Sequence, residues 1–568
     1  MIHSPDKKSA MKLLLSICLL AAALLAFFQP PTNPDLHWHL SAGRYIINNH
    51  SLPRTEILSW THPGLPWVDF EWLTQVIYYA AYSVSGIYGI FALKLAALSL
   101  ALFFILRTAA LYGEGNVCII APLWAAAALT NLDLRPDNFT LLFFAIELFL
   151  LEKIRISGSG VSVRKTFVIA AVAFALWGNM HAGFIYGAAL ALLYAAGRFW
   201  TCGTAAKEDT RLGFFTATAL GGFIGPLLNP YGWGVYKVLV THAGEMSFLS
   251  RYIREWMPPQ PSYFFFPYWI LLSYCAFVFI WHAFKHSALP REHYLALAFF
   301  GAMSAMHSRH IIFFATLALP FLENAARAGG ERPLWKHIAR WSLSAVASLY
   351  LIAWANDTIN AATWNEIPVA GAAHYLADNS TVLSGLKLYN SREFGGYLGY
   401  ALYPRYRIYQ DGRYLFHDFI KPVATAWHTD AGWQKYMDSK DIGLAVIQRQ
   451  HDDEILRQNS YQTPAYITMM PPEKWTLVYW DNNALVFVRN TAAPQQWLDV
   501  HGFSLVRPDA RGLALEKIMN RYGSPVQLAA ELAMLKHQLS ADGAMLSAKD
   551  EIVLWEKLSA YISGATKN

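Results

Sequence analysis

A succession of about eleven apolar stretches, several of them short, limits what this chain can fold into more than any other feature. The first begins beside Lys7, Lys8 and Lys12 and runs to Phe28. It is about 18 residues, or roughly 27 Å of helix, enough to cross a bilayer core. Ala21–Ala23 offer a signal-peptide cleavage region, but the apolar run continues past them through Phe27-Phe28-Gln29-Pro30, so a retained span is the reading taken. Further stretches lie near 86–106, 117–130, 138–151, 166–179, 182–198, 212–228, 264–283, 293–306, 310–326 and 337–355. Only 15% of the 568 residues are charged, against roughly a quarter in ordinary soluble proteins, and this deficit also argues for a polytopic membrane protein.

Charge sets the expected orientation. With the N-terminus inside, the inward connections hold Lys153, Arg155, Arg164 and Lys165, then Arg198, Lys207 and Arg211, then Lys285 and Arg291, then Arg327, Arg332, Lys336 and Arg340. The outward connections are longer in total but hold fewer basic residues, as the positive-inside rule demands. An odd number of spans then puts everything after residue 355 outside. The expectation is a multi-pass protein of a bacterial plasma (inner) membrane, with cytoplasmic N-terminus and extracytoplasmic C-terminal domain.

Charge density rises after about Glu366, and the pattern changes to short strands and turns. Leu386–Tyr389, Arg407–Tyr409, Ala445–Gln448, Thr476–Trp480 and Ala484–Arg489 read as strands, the last two joined around Asp481-Asn482-Asn483. Gly395-Gly396 and Asp411-Gly412 read as turns that shape this domain. From about Ala510 the pattern is helical. The expected architecture is an α-helical polytopic membrane domain over 1–355, with about eleven transmembrane helices and a large first external loop at 29–85. An extracytoplasmic α/β domain over 356–505 and a helical C-terminal tail over 506–568 follow.

The same orientation gathers the unusual polar residues on one face. The loop 33–72 carries Asp35, His37, His39, Asp69 and Glu71, and other outward connections carry Asn131-Leu132-Asp133-Leu134-Arg135-Pro136-Asp137, Asn179 and His181, Glu255, and Arg309-His310. Ionisable groups at helix ends facing a bundle mark a substrate site. Two compatible readings stand for Asp35: a desolvated carboxylate acting as base or metal ligand, and the N-cap of a helix over 35–48, on which His39 shares its face. Asp69 and Glu71 suit chelation of a hard cation, binding of sugar hydroxyls, or a helix dipole. For Asp133, Arg135 and Asp137 the alternatives are a charge pair tying two helices and a functional site. Arg309, His310, Asn179 and His181 form a polar, basic rim fit for a phosphate.

Other chemistries lack their residues. Cys18, Cys118, Cys202 and Cys275 are scattered singly, and no His/Asp zinc set finds a third ligand. There is no phosphate-binding loop, dinucleotide fingerprint, nucleophile elbow or kinase set. No basic, aromatic-interleaved patch suggests nucleic acid.

An outward first loop that opens with Asp35, continues through a polar helix and carries Leu52-Pro53-Arg54-Thr55, Pro63-Gly64 and Trp67 resembles the polytopic GT-C glycosyltransferases. That group includes oligosaccharyltransferase catalytic subunits and dolichyl-phosphate-mannose protein mannosyltransferases. The Gly-Gly-Tyr…Asp-Gly-Arg stretch, Gly395 to Arg413, resembles a bacterial uncharacterised branch of the same type. The resemblance implies that Asp35 is the essential first-loop acid, that Asp133 stands in the second acidic motif, and that Glu255 is the later-loop acid. It also implies transfer of a sugar from a polyprenyl-phosphate lipid donor to a glycan, lipid or protein acceptor at the extracytoplasmic face.

In the expected site Asp35, Asp133 and Glu71 are catalytic. Substrate is bound by His39, Asp69, Arg135, Asp137, Asn179, His181, Glu255, Arg309 and His310. Any divalent cation, Mg2+ or Mn2+, would sit on Asp35 and Asp133. A Trp-Trp-Asp-Tyr-Gly sequon-reading motif is absent, which argues against Asn-x-Ser/Thr acceptors. The alternative function is a non-catalytic lipid-linked glycan transporter or assembly partner on a degenerate transferase scaffold.

Overall fold

The computed structural model describes residues 7–112, 117–158, 160–203, 209–285, 289–328, 334–361, 367–449, 464–541 and 549–565. Lys207, Arg332 and the boundary stretch around Glu366 lie outside the described residues. The chain divides into two compact units. The first comprises Met1–Asn33, Gly43–Leu52 and Val68–Trp364, and the second Pro34–Ala42, Pro53–Trp67 and Asn365–Asn568. The first loop thus contributes residues to both.

The first unit is helical, and each apolar stretch of the sequence coincides with a helix. Among the described residues four are long and apolar enough to cross a membrane: Ile87–Ala110, Val163–Met180, Thr210–Leu228 and Tyr263–Phe284. Eleven spans are therefore not confirmed. Several of the remaining helices are short or interrupted: Arg291–Met306 has 16 residues, and the 117–131 stretch is split into a 3-10 turn, the eight-residue helix Ala121–Ala128 and a second 3-10 turn. One helix, Gly234–Tyr252, lies in a region that the hydropathy pattern leaves as a connection, because its apolar residues are dispersed and most of its length is exposed or half-exposed.

Small residues let these helices close. A Cβ on Gly225 would stand 2.2 Å from the Ala171 carbonyl oxygen and one on Gly221 2.7 Å from the Ala170 Cβ, so Val163–Met180 and Thr210–Ile224 touch almost backbone to backbone. Deeper in the bundle Phe27, Trp124, Phe144, Phe300 and Phe314 form a buried aromatic core.

The second unit is built on a four-stranded mixed sheet of order β1-β2-β4-β3. Strand β1 is Leu388–Asn390, β2 Leu444–Gln448, β3 Trp475–Trp480 and β4 Ala484–Arg489. Strands β1 and β2 are parallel, Tyr389 opposite Ala445, and the other pairings are antiparallel. The hairpin turn forms because Asp481 Oδ1 accepts the backbone N–H groups of Asn483 and Ala484, each at 2.7 Å. Leu477 to Trp480 and Ala484 to Val488 are all fully buried, so both faces of the sheet are covered. Leu528, Leu535, Leu539 and Trp555 of the C-terminal helices join this same core.

Two sequence expectations fail here. Arg407–Tyr409 is not a strand: Ile408 makes a single parallel bridge with Ser59, and the Asn390 side chain takes the place of a neighbouring strand, accepting from Tyr409 N and donating to the Gln410 carbonyl, each at 2.8 Å. Gly395-Gly396 is not a turn but lies inside the helix Arg392–Leu402. Glycine is needed there for close approach, since a Cβ on Gly395 would fall 1.9 Å from the Gln410 carbonyl oxygen and one on Gly396 2.5 Å from that of Pro34.

Candidate active site

In the first unit the stretch 131–137 alternates. Leu132 and Leu134 are buried, which turns the intervening Asp133, Arg135 and Asp137 the other way, toward partly solvated space. The Asn138 amide clamps the Asp133 carbonyl at 2.8 Å, and the Asn33 amide donates to Asp133 Oδ2 at 2.7 Å. Arg135 donates through Nε to the same carboxylate oxygen at 2.8 Å and through Nη1 to Glu255. Glu255 in turn accepts from Arg309 Nη1 at 2.7 Å. Glu255 therefore joins two guanidinium groups.

Short turns hold this chain of charges in place. Arg254–Trp256 and Ser308–His310 are single 3-10 turns. They are stitched together by Ser308 Oγ to the Glu255 carbonyl at 3.0 Å, Ser308 N to the Met257 carbonyl at 2.9 Å and His307 Nδ1 to the Trp256 carbonyl at 2.7 Å. The Asn131 amide spans the Ser308 and Arg309 carbonyls, and the Arg309 guanidinium lies 5.1 Å from the Trp256 ring centre. The paired side chains keep about a quarter of their surface exposed, so they are ordered yet accessible. Asp137 sits in the field of these charges with Oδ1 enclosed and, among the described residues, without a hydrogen-bond partner. Burial, with Asp133 close by, pushes its carboxyl up to about 7.

The other predicted residues divide. Glu71 meets His181, Oε1 to Nε2 at 3.4 Å, and the second ring nitrogen of His181 meets Thr140 Oγ1 at 2.8 Å. Burial, with Arg309 and Arg135 in range, pushes the His181 imidazole down to about 3. Both of its ring nitrogens are thus engaged, by Glu71 and by Thr140. Asn179 is occupied too, accepting from the Trp72 indole at 2.6 Å and donating to the Ala175 carbonyl at 2.7 Å. His310 has one ring nitrogen 2.8 Å from Tyr186 Oη and the other 3.4 Å from the Met303 carbonyl. Asp69 accepts from the Gln75 amide at 2.5 Å, while Glu71 faces His181, so these two acids take different partners.

Asp35 belongs to the second unit. Its carbonyl starts the helix Leu36–Asn49 by accepting from His39 N, and its Oδ1 accepts from the Trp38 indole at 3.2 Å. The Trp38 ring lies 3.6 Å from that of His39. His37 packs on Tyr397, and burial pushes its imidazole down to about 4, which keeps it uncharged near neutral pH. A wholly buried ion triad lies in the same unit. Arg413 contacts Glu56 Oε2 at 2.6 Å and Asp411 Oδ2 at 2.7 Å, and its guanidinium lies 4.6 Å from the Trp67 ring centre. Glu56 Oε1 also receives the N–H groups of Leu58 and Ser59.

Sequence reasoning passed over Glu56. Its signal was an acid lodged between Thr55 and the apolar Ile57-Leu58, a place that calls for a buried cation. Among the described residues no three His, Cys, Asp or Glu side chains are grouped to hold a metal ion. Asp133, one of the two expected ligands, already bears Asn33 and Arg135. The residues within each unit therefore do not fit a metal centre.

No family model and no curated protein sequence matches the chain. Solved structures do. One is the archaeal oligosaccharyltransferase AglB from Archaeoglobus fulgidus in complex with an inhibitory peptide and a dolichol-phosphate, at 12% identity and a TM-score of 0.49, covering 78% of this chain and 70% of that one. An Archaeoglobus fulgidus oligosaccharyltransferase in complex with Zn and sulfate has a TM-score of 0.47 at 12% identity and covers 76% of this chain and 68% of that one. ArnT from Cupriavidus metallidurans bound to undecaprenyl phosphate has a TM-score of 0.43 at 12% identity and covers 87% of this chain and all of the other.

Proposed function

We propose that the protein is an integral membrane glycosyltransferase of the GT-C type, moving a sugar from a polyprenyl-phosphate donor to an acceptor hydroxyl at the extracytoplasmic face. The observation that carries this reading is the Asp133–Arg135–Glu255–Arg309 chain. Residues from three separate connections form one partly solvated charge network. An arginine has five donors, so Arg135 and Arg309 can each hold a carboxylate and still turn N–H groups to a phosphate.

In the transfer, the bond from sugar C1 to the phosphate oxygen breaks and a bond from C1 to the acceptor oxygen forms. The acceptor proton passes to Asp35, and the polyprenyl phosphate leaves with its full negative charge. Arg135 and Arg309 stabilise that growing charge, and Glu255 holds both guanidinium groups ready for it. Glu71 and His181 supply neutral or acceptor contacts to sugar hydroxyls.

The test presents purified full-length protein in lipid nanodiscs with undecaprenyl-phosphate-linked hexoses and a membrane extract as the source of acceptor, and measures release of undecaprenyl phosphate. Release is expected, and Arg309→Gln is expected to raise the donor KM about tenfold, about 1.4 kcal/mol of binding. A second reading, a non-catalytic carrier or assembly partner, draws on the fact that Asp133 and Glu255 together already balance the charge of both arginines. Binding of the lipid without release for any hexose would favour it.

A further inference from the structure

Glycine at position 412 serves neither backbone conformation nor a distant core. The left-handed glycines among the described residues are Gly64, Gly86, Gly158, Gly203 and Gly232, and Gly412 is not one of them. What it provides is space. A Cβ there would lie 1.9 Å from Asp35 Oδ1 and 3.0 Å from its carboxyl carbon. The backbone of residue 412 is the floor on which the Asp35 carboxylate rests.

That floor is rigidly mounted. Asp411 and Arg413, on either side, are locked to each other and to Glu56 in the buried triad, and Arg392 Nη2 holds the Gly412 carbonyl at 3.2 Å. On the other side the carboxylate meets the Trp38 indole N–H. The neighbouring Gly396 seats the helix Arg392–Leu402 against the Pro34 carbonyl, one residue before Asp35. So the Gly395-Gly396 and Asp411-Gly412-Arg413 motifs both converge on the segment that bears the acid.

We infer that Gly412, mounted by the Glu56–Arg413–Asp411 triad and working with Trp38, is a positioning residue that fixes the rotamer of Asp35 for proton transfer. This rests on the proposed catalytic role of Asp35. A side-chain oxygen can swing aside, whereas backbone cannot, so Gly412→Ala displaces the carboxylate and leaves the fold intact. Misplacing a reacting group by about an ångström costs up to 100-fold in rate.

The experiment is a double-mutant cycle on undecaprenyl phosphate release from undecaprenyl-phosphate-linked hexose, with thermal unfolding of each variant. Gly412→Ala should lower kcat at least tenfold, with the donor KM within twofold of wild type and an unchanged unfolding midpoint. In the Asp35→Ala background the same substitution should cost nothing further, because the group it displaces is gone. Trp38→Phe, which keeps the ring and deletes the donor, should lower kcat several-fold, again only while Asp35 is present. An equal loss in both backgrounds, a wild-type kcat in Gly412→Ala, or its failure to fold would each overturn the inference. A wild-type kcat in Asp35→Ala would instead overturn the catalytic reading beneath it.

Discussion

At the scale of single residues, Asp137 carries the clearest pH signature. Burial, with Asp133 close by, pushes its carboxyl up toward neutrality, to about 7. Below that pH it is neutral and the Arg135–Arg309 cluster meets a phosphate with less opposing charge; above it the ionised group repels the donor. The donor KM should therefore rise as pH passes upward through about 7, and Asp137→Asn should flatten that rise when initial rates are followed from pH 6 to 8. A KM that falls over the same range would show that Asp137 does not face the donor. Asp133, Arg135 and Asp137 were legible as a cluster because three charges within five residues beside apolar helices need partners. That Glu255 would be the shared partner was not legible, because about 120 residues separate it from Arg135. His181 and His310 show the opposite limit, since the sequence does not reveal that their ring nitrogens are taken up by Glu71 and Thr140 and by Tyr186 and the Met303 carbonyl.

At the scale of elements, two glycine motifs look alike in sequence and behave differently in space. A Cβ on Gly395 would meet the backbone oxygen of Gln410, while one on Gly412 would meet only the end of a side chain. Gly395→Ala should therefore destabilise the second unit by more than about 2 kcal/mol, as overpacking against backbone does. A thermal shift measured beside Gly412→Ala checks this, and equal midpoints for the two variants would contradict it. Strands β1 to β4 were readable from β-branched and aromatic runs bounded by turns. Arg407–Tyr409 was misread because its pattern is that of a strand, while its hydrogen bonds go to the Asn390 side chain and the 58–61 segment. Most helices of the first unit were readable because apolar runs leave few other choices, whereas Gly234–Tyr252, whose apolar residues are dispersed, was not.

At the scale of the whole molecule, hydropathy separates a helical part from a mixed α/β part, but it assigns each a continuous range. It does not show that Pro34–Ala42 and Pro53–Trp67 pack with residues that follow 364, because such pairing is made by side chains such as Glu56 and Arg413, 357 positions apart. Nor does an apolar run reveal whether its helix joins the length and the hydropathy that crossing a bilayer asks for: among the described residues four helices do, while Asp137–Ser157, with 21 residues, does not. Asp35, singled out for following the first span, is held by the second unit, and the account depends on that carboxylate accepting the acceptor's proton. The most direct test compares undecaprenyl phosphate release by wild type and Asp35→Asn in nanodiscs at saturating undecaprenyl-phosphate-linked hexose. The account predicts a kcat at least 100-fold lower with donor binding retained, in the range that general bases contribute; transfer by Asp35→Asn as fast as wild type would contradict it.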